Sequence, residues 1–284
     1  MNNEKIFMNY DTVILSGGGI KGLYLLGGYQ AVLDMGLLSE VKNFIGTSIG
    51  SILCYLFIIG YSPIEIIVYL HSNKCLEKIQ GLNVMSMING NGAISFLPIY
   101  EILEKLSIEK IGQILTLKKL KEKYNKNLIC TTYNMTKCEI EYLSADNNPD
   151  LPCLTALRMS CNIPVIFERF KYMDSFYIDG GIVNNFPISK GKEIGIKIFG
   201  LYSEMSEKSL KDEPEEGIIS YFMKLLQIPI SYLTKQQLNF IDENCTIIGI
   251  DTNDIKNILD FNIKPKNRLD IFSKGYSIVK NKLK

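Results

Sequence analysis

Short β-branched apolar runs alternate with longer stretches of helical periodicity through the first sixty residues. Thr12 to Leu15 reads as a strand, Ile20 to Met35 as a helix ended by Gly36, Val41 to Ile45 as a second strand and Ser48 to Ile59 as a second helix. Strand, helix, strand, helix at this spacing predicts a parallel sheet with helices on its faces. Further on, Leu128–Thr132 with Glu139–Leu143, and Phe170–Tyr172 with Phe176–Ile178, read as strand pairs, and Ile196–Tyr202 and Thr246–Ile250 as later strands. The acidic, Ser- and Lys-rich stretch Glu204–Glu216 reads as a solvated loop. No internal repeat is present. The expectation is one α/β domain over residues 1–284: a core at 12–189, then residues 190–284 completing the sheet with a helical decoration near 217–240.

Composition narrows the class. With 284 residues, 46% hydrophobic and 21% charged, the chain can bury a large core and has no signature of disorder. A formal net charge of +1 predicts no polyanionic partner. Two basic clusters, Lys118, Lys119, Lys121, Lys123 and Lys126, then Lys264, Lys266 and Arg268, read as solvated helix faces. Nucleic-acid binding would want stacking aromatics among them, and only Tyr124 is there, so no nucleic-acid partner is expected. The polar start MNNEKIFMNYDT lacks the apolar run of a secretory leader. The longest apolar stretch, Ile49 to Val68, is interrupted by Gly60, Tyr61, Ser62, Pro63 and Glu65, and predicts two buried helices rather than a membrane span. Seven scattered cysteines without a CxxC pair read as reduced thiols of a cytoplasmic protein, and with one histidine a structural zinc site is not expected. No metal and no cofactor are predicted, and nothing in the sequence bears on oligomeric state.

The candidate chemistry starts at GTSIG, residues 46–50, where Ser48 stands between an apolar strand and a helix. A serine there must turn the chain sharply, and the small residues Gly46 and Gly50 let neighbouring backbone pass close by. Its hydroxyl is then lifted off the sheet edge, above unpaired helix N–H groups, as an acyl-transfer nucleophile requires. The pentapeptide alone is a weak signal. SGGGIKG, residues 16–22, follows the first strand and supplies what such a nucleophile needs next, backbone N–H donors for an oxyanion. Gly17, Gly18, Gly19 and Ile49 are the candidate donors, with Ile20, Lys21 and Gly22 supporting the turn. The rival reading is nucleotide binding, since Gly17, Gly19 and Gly22 satisfy GxGxxG. Against it, the place of a ribose-binding acid holds GTSIG, and Lys21 is followed by Gly22 rather than Ser or Thr.

A base is harder to find. The only histidine, His71, comes before any later acid, whereas α/β hydrolases run Ser, then Asp or Glu, then His. It reads as a surface or packing residue. YIDGGIVNNFP, residues 177–187, offers another candidate: Asp179 ends a strand, and Gly180 and Gly181 keep the turn behind it unobstructed. In isolation this tripeptide is also an ordinary Asp-Gly turn.

GGGIKG, then GTSIG, then DGG followed by NNFP, with RMSCNIPVIF (residues 158–167) before the aspartate, resembles the patatin-like phospholipase family over about residues 12–189. The resemblance implies a three-layer α/β/α fold with a mostly parallel central sheet, related to the α/β-hydrolase architecture. It also implies a Ser–Asp dyad, Ser48 and Asp179, that hydrolyses lipid acyl esters without histidine or metal. A phospholipid or other lipid ester is the expected substrate, and the stretch 217–238 reads equally as a lipid-facing element, with Phe222 and Leu226 in contact with lipid, or as a core helix interrupted at Pro229. A non-catalytic lipid- or nucleotide-binding protein on the same scaffold is the alternative.

Overall fold

Thr12–Leu15 forms the central strand β1, with all four residues buried. A strand covered on both faces is apolar throughout rather than alternating, and TVIL is such a run. β1 pairs in parallel with β2 (Asn43–Thr47) on one side and β7 (Ile198–Glu204) on the other. β3 (Asn127–Asn134) extends the parallel set beyond β2, and β8 (Cys245–Asp251) extends it beyond β7. β4 (Glu139–Leu143) and β6 (Ser175–Asp179) run antiparallel to β3, and β5 (Phe170–Tyr172) antiparallel to β6. The result is a mixed eight-stranded sheet, ordered β5–β6–β3–β2–β1–β7–β8 with β4 on β3, whose centre is parallel. This computed structural model describes residues 9–73, 76, 79, 84–89, 92–205, 217–255, 258–260 and 263–284. The polar residues 1–8, Cys75 and the acidic stretch 206–216 named above lie outside the described residues, while Glu204 ends β7 rather than opening a loop.

Helices cover both faces. Val13, Leu15, Phe44, Cys130 and Phe199 point into the larger core with α1 (Gly22–Asp34), α2 (Ile49–Ile58), α7 (Cys153–Ser160) and α11 (Pro265–Leu283). Ile14, Ile45, Ile129 and Ile198 point the other way, onto Phe186 and Ile188, where α9 (Ile188–Ile194) begins. Between β2 and β3 the chain builds α3 (Pro63–Ser72), α4 (Val84–Ile88), α5 (Leu97–Ile111) and α6 (Leu117–Tyr124), which wall the larger core at its open end. After β6 comes the one-turn α8 (Gly181–Asn184), and α10 (Ile218–Leu238) leads into β8.

Several elements depart from the sequence reading. β2 lies two residues later than its apolar run, because pairing begins where the Lys42 and Asn43 N–H groups donate to the Asp11 carbonyl (2.8 and 3.1 Å). Apolar character marks burial, not pairing. Of the two helices expected to be buried, α2 is, but α3 meets it at 115° and leaves Ile64 and Val68 each 53% exposed. Among the described residues no single helix is long and apolar enough to cross a membrane. α10 runs unbroken through Pro229, which leaves one carbonyl of the helix without its usual N–H partner. Lys118, Lys119, Lys264 and Lys266 are exposed as expected, but Arg268 is 1% exposed. Its guanidinium donates to the carbonyls of Ile263 (2.8 Å) and Leu70 (2.6 Å), tying α11 to the last turn of α3. The Leu70 carbonyl sits at the negative end of α3, where a cation is favoured.

Replacing Arg268 with Met keeps the apolar stem and strands both carbonyls. The expected loss is about 2–4 kcal/mol of unfolding free energy by urea denaturation. A midpoint equal to wild type would show that the guanidinium does not hold the two helices together.

Candidate active site

Ser48 stands at the C-terminal end of β2 as the N-cap of α2, with φ 54° and ψ −126°. A non-glycine residue in that region is strained by roughly 1–3 kcal/mol, and surrounding contacts must hold it there. The backbone closes tightly around it. A Cβ on Gly46 would collide with the backbone of Gly50 and Ser51, and one on Gly50 with the carbonyls of Leu15 and Ser16. Ser160, which the sequence reading passed over, braces the turn from below. Its hydroxyl accepts from the Ser48 N–H (3.0 Å) and from Ser51 Oγ (2.8 Å), and donates to the Thr131 carbonyl (2.7 Å).

β3 brings Asp179 to this serine. Thr131 is the last β3 residue to pair with β2, opposite Thr47, and Thr132 is the first to pair with β6, opposite Asp179. β2 and β6 therefore meet end to end along one edge of β3, and Ser48 and Asp179 are the residues at the junction. Ser48 and Asp179 line the same cavity, and the hydroxyl beside the Asp179 carboxyl favours its charged form. The other polar contact is the Gly181 N–H, which donates to Asp179 Oδ1 (2.7 Å). Burial outweighs both and pushes this carboxyl up to about 6. Asn162 fixes the strand end: its carbonyl accepts from the Asp179 N–H (2.8 Å), and its side chain bridges the Tyr177 carbonyl and the Arg158 guanidinium.

The glycine turn after β1 faces the same point. Gly17 is a correction to the expected donor set, because its N–H is engaged by Asn185 Oδ1 (3.1 Å). Asn185, from the NNFP segment, thus locks the turn, a role no spacing rule would have exposed. No acceptor among the described residues takes the N–H groups of Gly18 or Gly19, and Ile49 is the first residue of α2, whose N–H has no intrahelical partner. Lys21 is 5% exposed and lines the cavity beside Ser48 and Asp179. Burial lowers its ammonium to about 8, against the pull of Asp254 and Asp251.

Two cavities share Ser48, Gly19 and Ile163. One, of about 70 Å³, holds Asp179, Lys21 and Asn185 and is roofed by Met223, Leu226, Gln227 and Ile230 of α10. The other, of about 150 Å³, runs inward between Ile52, Leu103, Ile79 and Phe96 and is lined almost wholly by apolar side chains. Of the two readings of residues 217–238, Phe222 and Leu226 fit the core helix: both pack on the core, and Leu226 lines the first cavity. His71 is exposed at the end of α3 and lines neither.

A strained serine between a parallel strand and a helix, facing a glycine turn and a buried carboxyl, places the molecule among α/β proteins with a serine elbow. Residues 13–190 match the family model of the patatin-like phospholipases, and the chain belongs to that family. It is 38% identical over 182 residues to a probable lipid hydrolase of Invertebrate iridescent virus 6, an alignment covering 63% of this chain and 62% of the viral protein's length. Among solved structures it resembles VipD from Legionella pneumophila (TM-score 0.54, 18% identity, 96% of this chain and 66% of that one). It also resembles a human group IVD cytosolic phospholipase A2 (TM-score 0.51, 10% identity, 96% and 59%). These likenesses support the mixed sheet and flanking helices of a patatin-like fold.

The raised carboxyl has a stability consequence. Folding binds this proton more tightly than the unfolded chain does, so the group's penalty is absent at low pH, grows as pH rises from about 4 to about 6, and is complete above. Asp179→Asn should therefore gain about 3 kcal/mol or less at pH 8 and nothing at pH 4. Thermal denaturation at the two pH values reads the difference; an equal change at both would remove the carboxyl's charge as its cause.

Proposed function

We propose that the protein hydrolyses fatty-acyl esters of lipids through Ser48 and Asp179. Ser48 Oγ attacks the ester carbonyl while its proton passes to Asp179. A carboxylate is a weak base for a serine, so transfer accompanies attack, and the carboxyl's rise to about 6 narrows the mismatch. The tetrahedral oxygen takes hydrogen bonds from the N–H groups of Gly18, Gly19 and Ile49, an arrangement in which each donor is typically worth about 3–4 kcal/mol. Collapse breaks the ester C–O bond, and Asp179 returns the proton to the departing alcohol, leaving the acyl group on Ser48. Water then gives its proton to Asp179 and attacks the acyl carbonyl. The free fatty acid leaves, and the proton returns to Ser48.

The observation that carries this reading is that one residue combines three features: Ser48 stands on a strained elbow, beside a buried carboxyl, and in the wall of an apolar cavity. The larger cavity suits an acyl chain, and the smaller one, which holds Lys21, Asp179 and Asn185, the ester and head group. That supports a phospholipase A or lysophospholipase type of reaction. Lys21 would stand beside the head group, in reach of negative charge there.

A fluorophosphonate probe should form one adduct, on Ser48, absent in Ser48→Ala and slowed at least about a hundredfold in Asp179→Asn. His71→Ala should label and turn over like wild type. kcat/KM on a soluble short-chain ester should fall as pH drops below about 6, where Asp179 takes up its proton. An inactive but folded His71→Ala, or Asp179→Asn labelled at the wild-type rate, would overturn the dyad.

A further inference from the structure

Arg158, on α7, is a buried cation with little beside it to balance its charge. It is 5% exposed, and its guanidinium lies over the rings of Phe96, Phe170 and Phe167, 4.3, 5.1 and 5.7 Å from their centroids. Among the described residues its carboxylate neighbour is Glu168, which stands 3.8 Å away with a side chain 40% exposed. Burying an ion beside so loose a counter-charge is unfavourable, and a methionine would fill the space between three rings without that penalty. What a hydrocarbon cannot do is donate. Arg158 Nη1 donates to Asn162 Oδ1 (2.6 Å), and Nη2 to the Glu168 carbonyl (3.0 Å).

Asn162, 2% exposed, passes this bond on to β6. Its side-chain N–H donates to the Tyr177 carbonyl (2.7 Å), and its own carbonyl accepts from the Asp179 N–H (2.8 Å). β5 pairs with β6 only as far as Tyr177, and Asn162 bonds the strand from there to its end. An amide can present either of its ends. A guanidinium can only donate, so Arg158 draws the oxygen toward itself and turns the NH2 group to Tyr177. Turned the other way, the buried amide would set donor against donor and acceptor against acceptor. We propose that Arg158 is a positioning residue for Asp179: through Asn162 it fixes the end of β6, and with it the place of the carboxyl beside Ser48. This deepens the dyad reading above and rests on it. The guanidinium acts by placement rather than by its charge, since burial, Ser48 and the Gly181 N–H are what set the Asp179 carboxyl.

Arg158→Lys keeps the charge but offers one nitrogen to two acceptors and no plane to the rings. At a temperature where circular dichroism shows the variant folded, its rate constant for fluorophosphonate labelling of Ser48 should fall about ten- to a hundredfold, the scale of a misplacement of about 1 Å. On a soluble short-chain ester the loss should fall on kcat, with KM within about twofold of wild type. The decisive background is Asp179→Asn, which has no carboxylate to place. Adding Arg158→Lys there should change the labelling rate by less than about twofold, whereas a general loosening of the fold would slow both backgrounds alike. Asn162→Ala should slow labelling comparably, and its combination with Arg158→Lys should be no slower than the slower single variant. Should the lysine variant not fold, Asn162→Ala in the same two backgrounds carries the test. Labelling of Arg158→Lys at the wild-type rate, or an equal slowing in the Asp179→Asn background, would sink the proposal and leave the dyad standing. Asp179→Asn labelled at the wild-type rate would instead strike the dyad, and this proposal with it.

Discussion

The site depends on how one strand is shared. β3 gives the first part of an edge to β2 and the remainder to β6, and the handover falls between Thr131 and Thr132. A slip of one residue would turn every side chain of β6 to the opposite face and carry the Asp179 carboxyl away from Ser48. The register is held from several directions. Thr132 Oγ1 bonds the carbonyls of Met159 and Ile178, Asn162 holds the Asp179 N–H, and Ser160 ties Thr131 to the elbow. Strain at Ser48 and burial of Asp179 are both unfavourable by themselves. They persist because this small hydrogen-bonded network and the sheet beneath leave the chain no better local arrangement.

In the proposed reaction the two unfavourable features serve one chemistry. A carboxylate in water would be too acidic to take a serine proton, and a serine in ordinary helix geometry would not project above the sheet. Burial narrows the first mismatch and the elbow removes the second, and each withdraws stability that the two hydrophobic cores supply. The apolar cavity adds to the same balance: beside the hydroxyl its walls, from α1, α2, α5 and the chain between the last two, are almost wholly apolar.

Much of this was legible in the chain before any coordinates. TVIL and the β-branched runs marked the strands, and GTSIG at a strand–helix boundary marked the elbow, because backbone collisions leave so few residue types possible there. What escaped were facts about pairing and facing. No local pattern could say that Asn185 would occupy the Gly17 amide, that Ser160 would sit beneath the elbow, or that Arg268 would be buried on the carbonyls at the end of α3. The facing of Phe222 and Leu226 stayed open for a related reason. α10 is apolar on two faces, so hydropathy alone does not tell the inner row from the outer one.

The division of labour along the chain has a further consequence. The residues between β2 and β3, about 60 to 126, supply cavity walls such as Ile66, Phe96 and Leu103 but take no part in the register that joins Ser48 to Asp179. Ser48 and Asp179 are both anchored to β3 from outside that insert. On the proposed mechanism, drift in the insert would reshape which molecules fit while leaving the proton's path untouched, so that selectivity and reactivity could evolve on separate segments of one polypeptide.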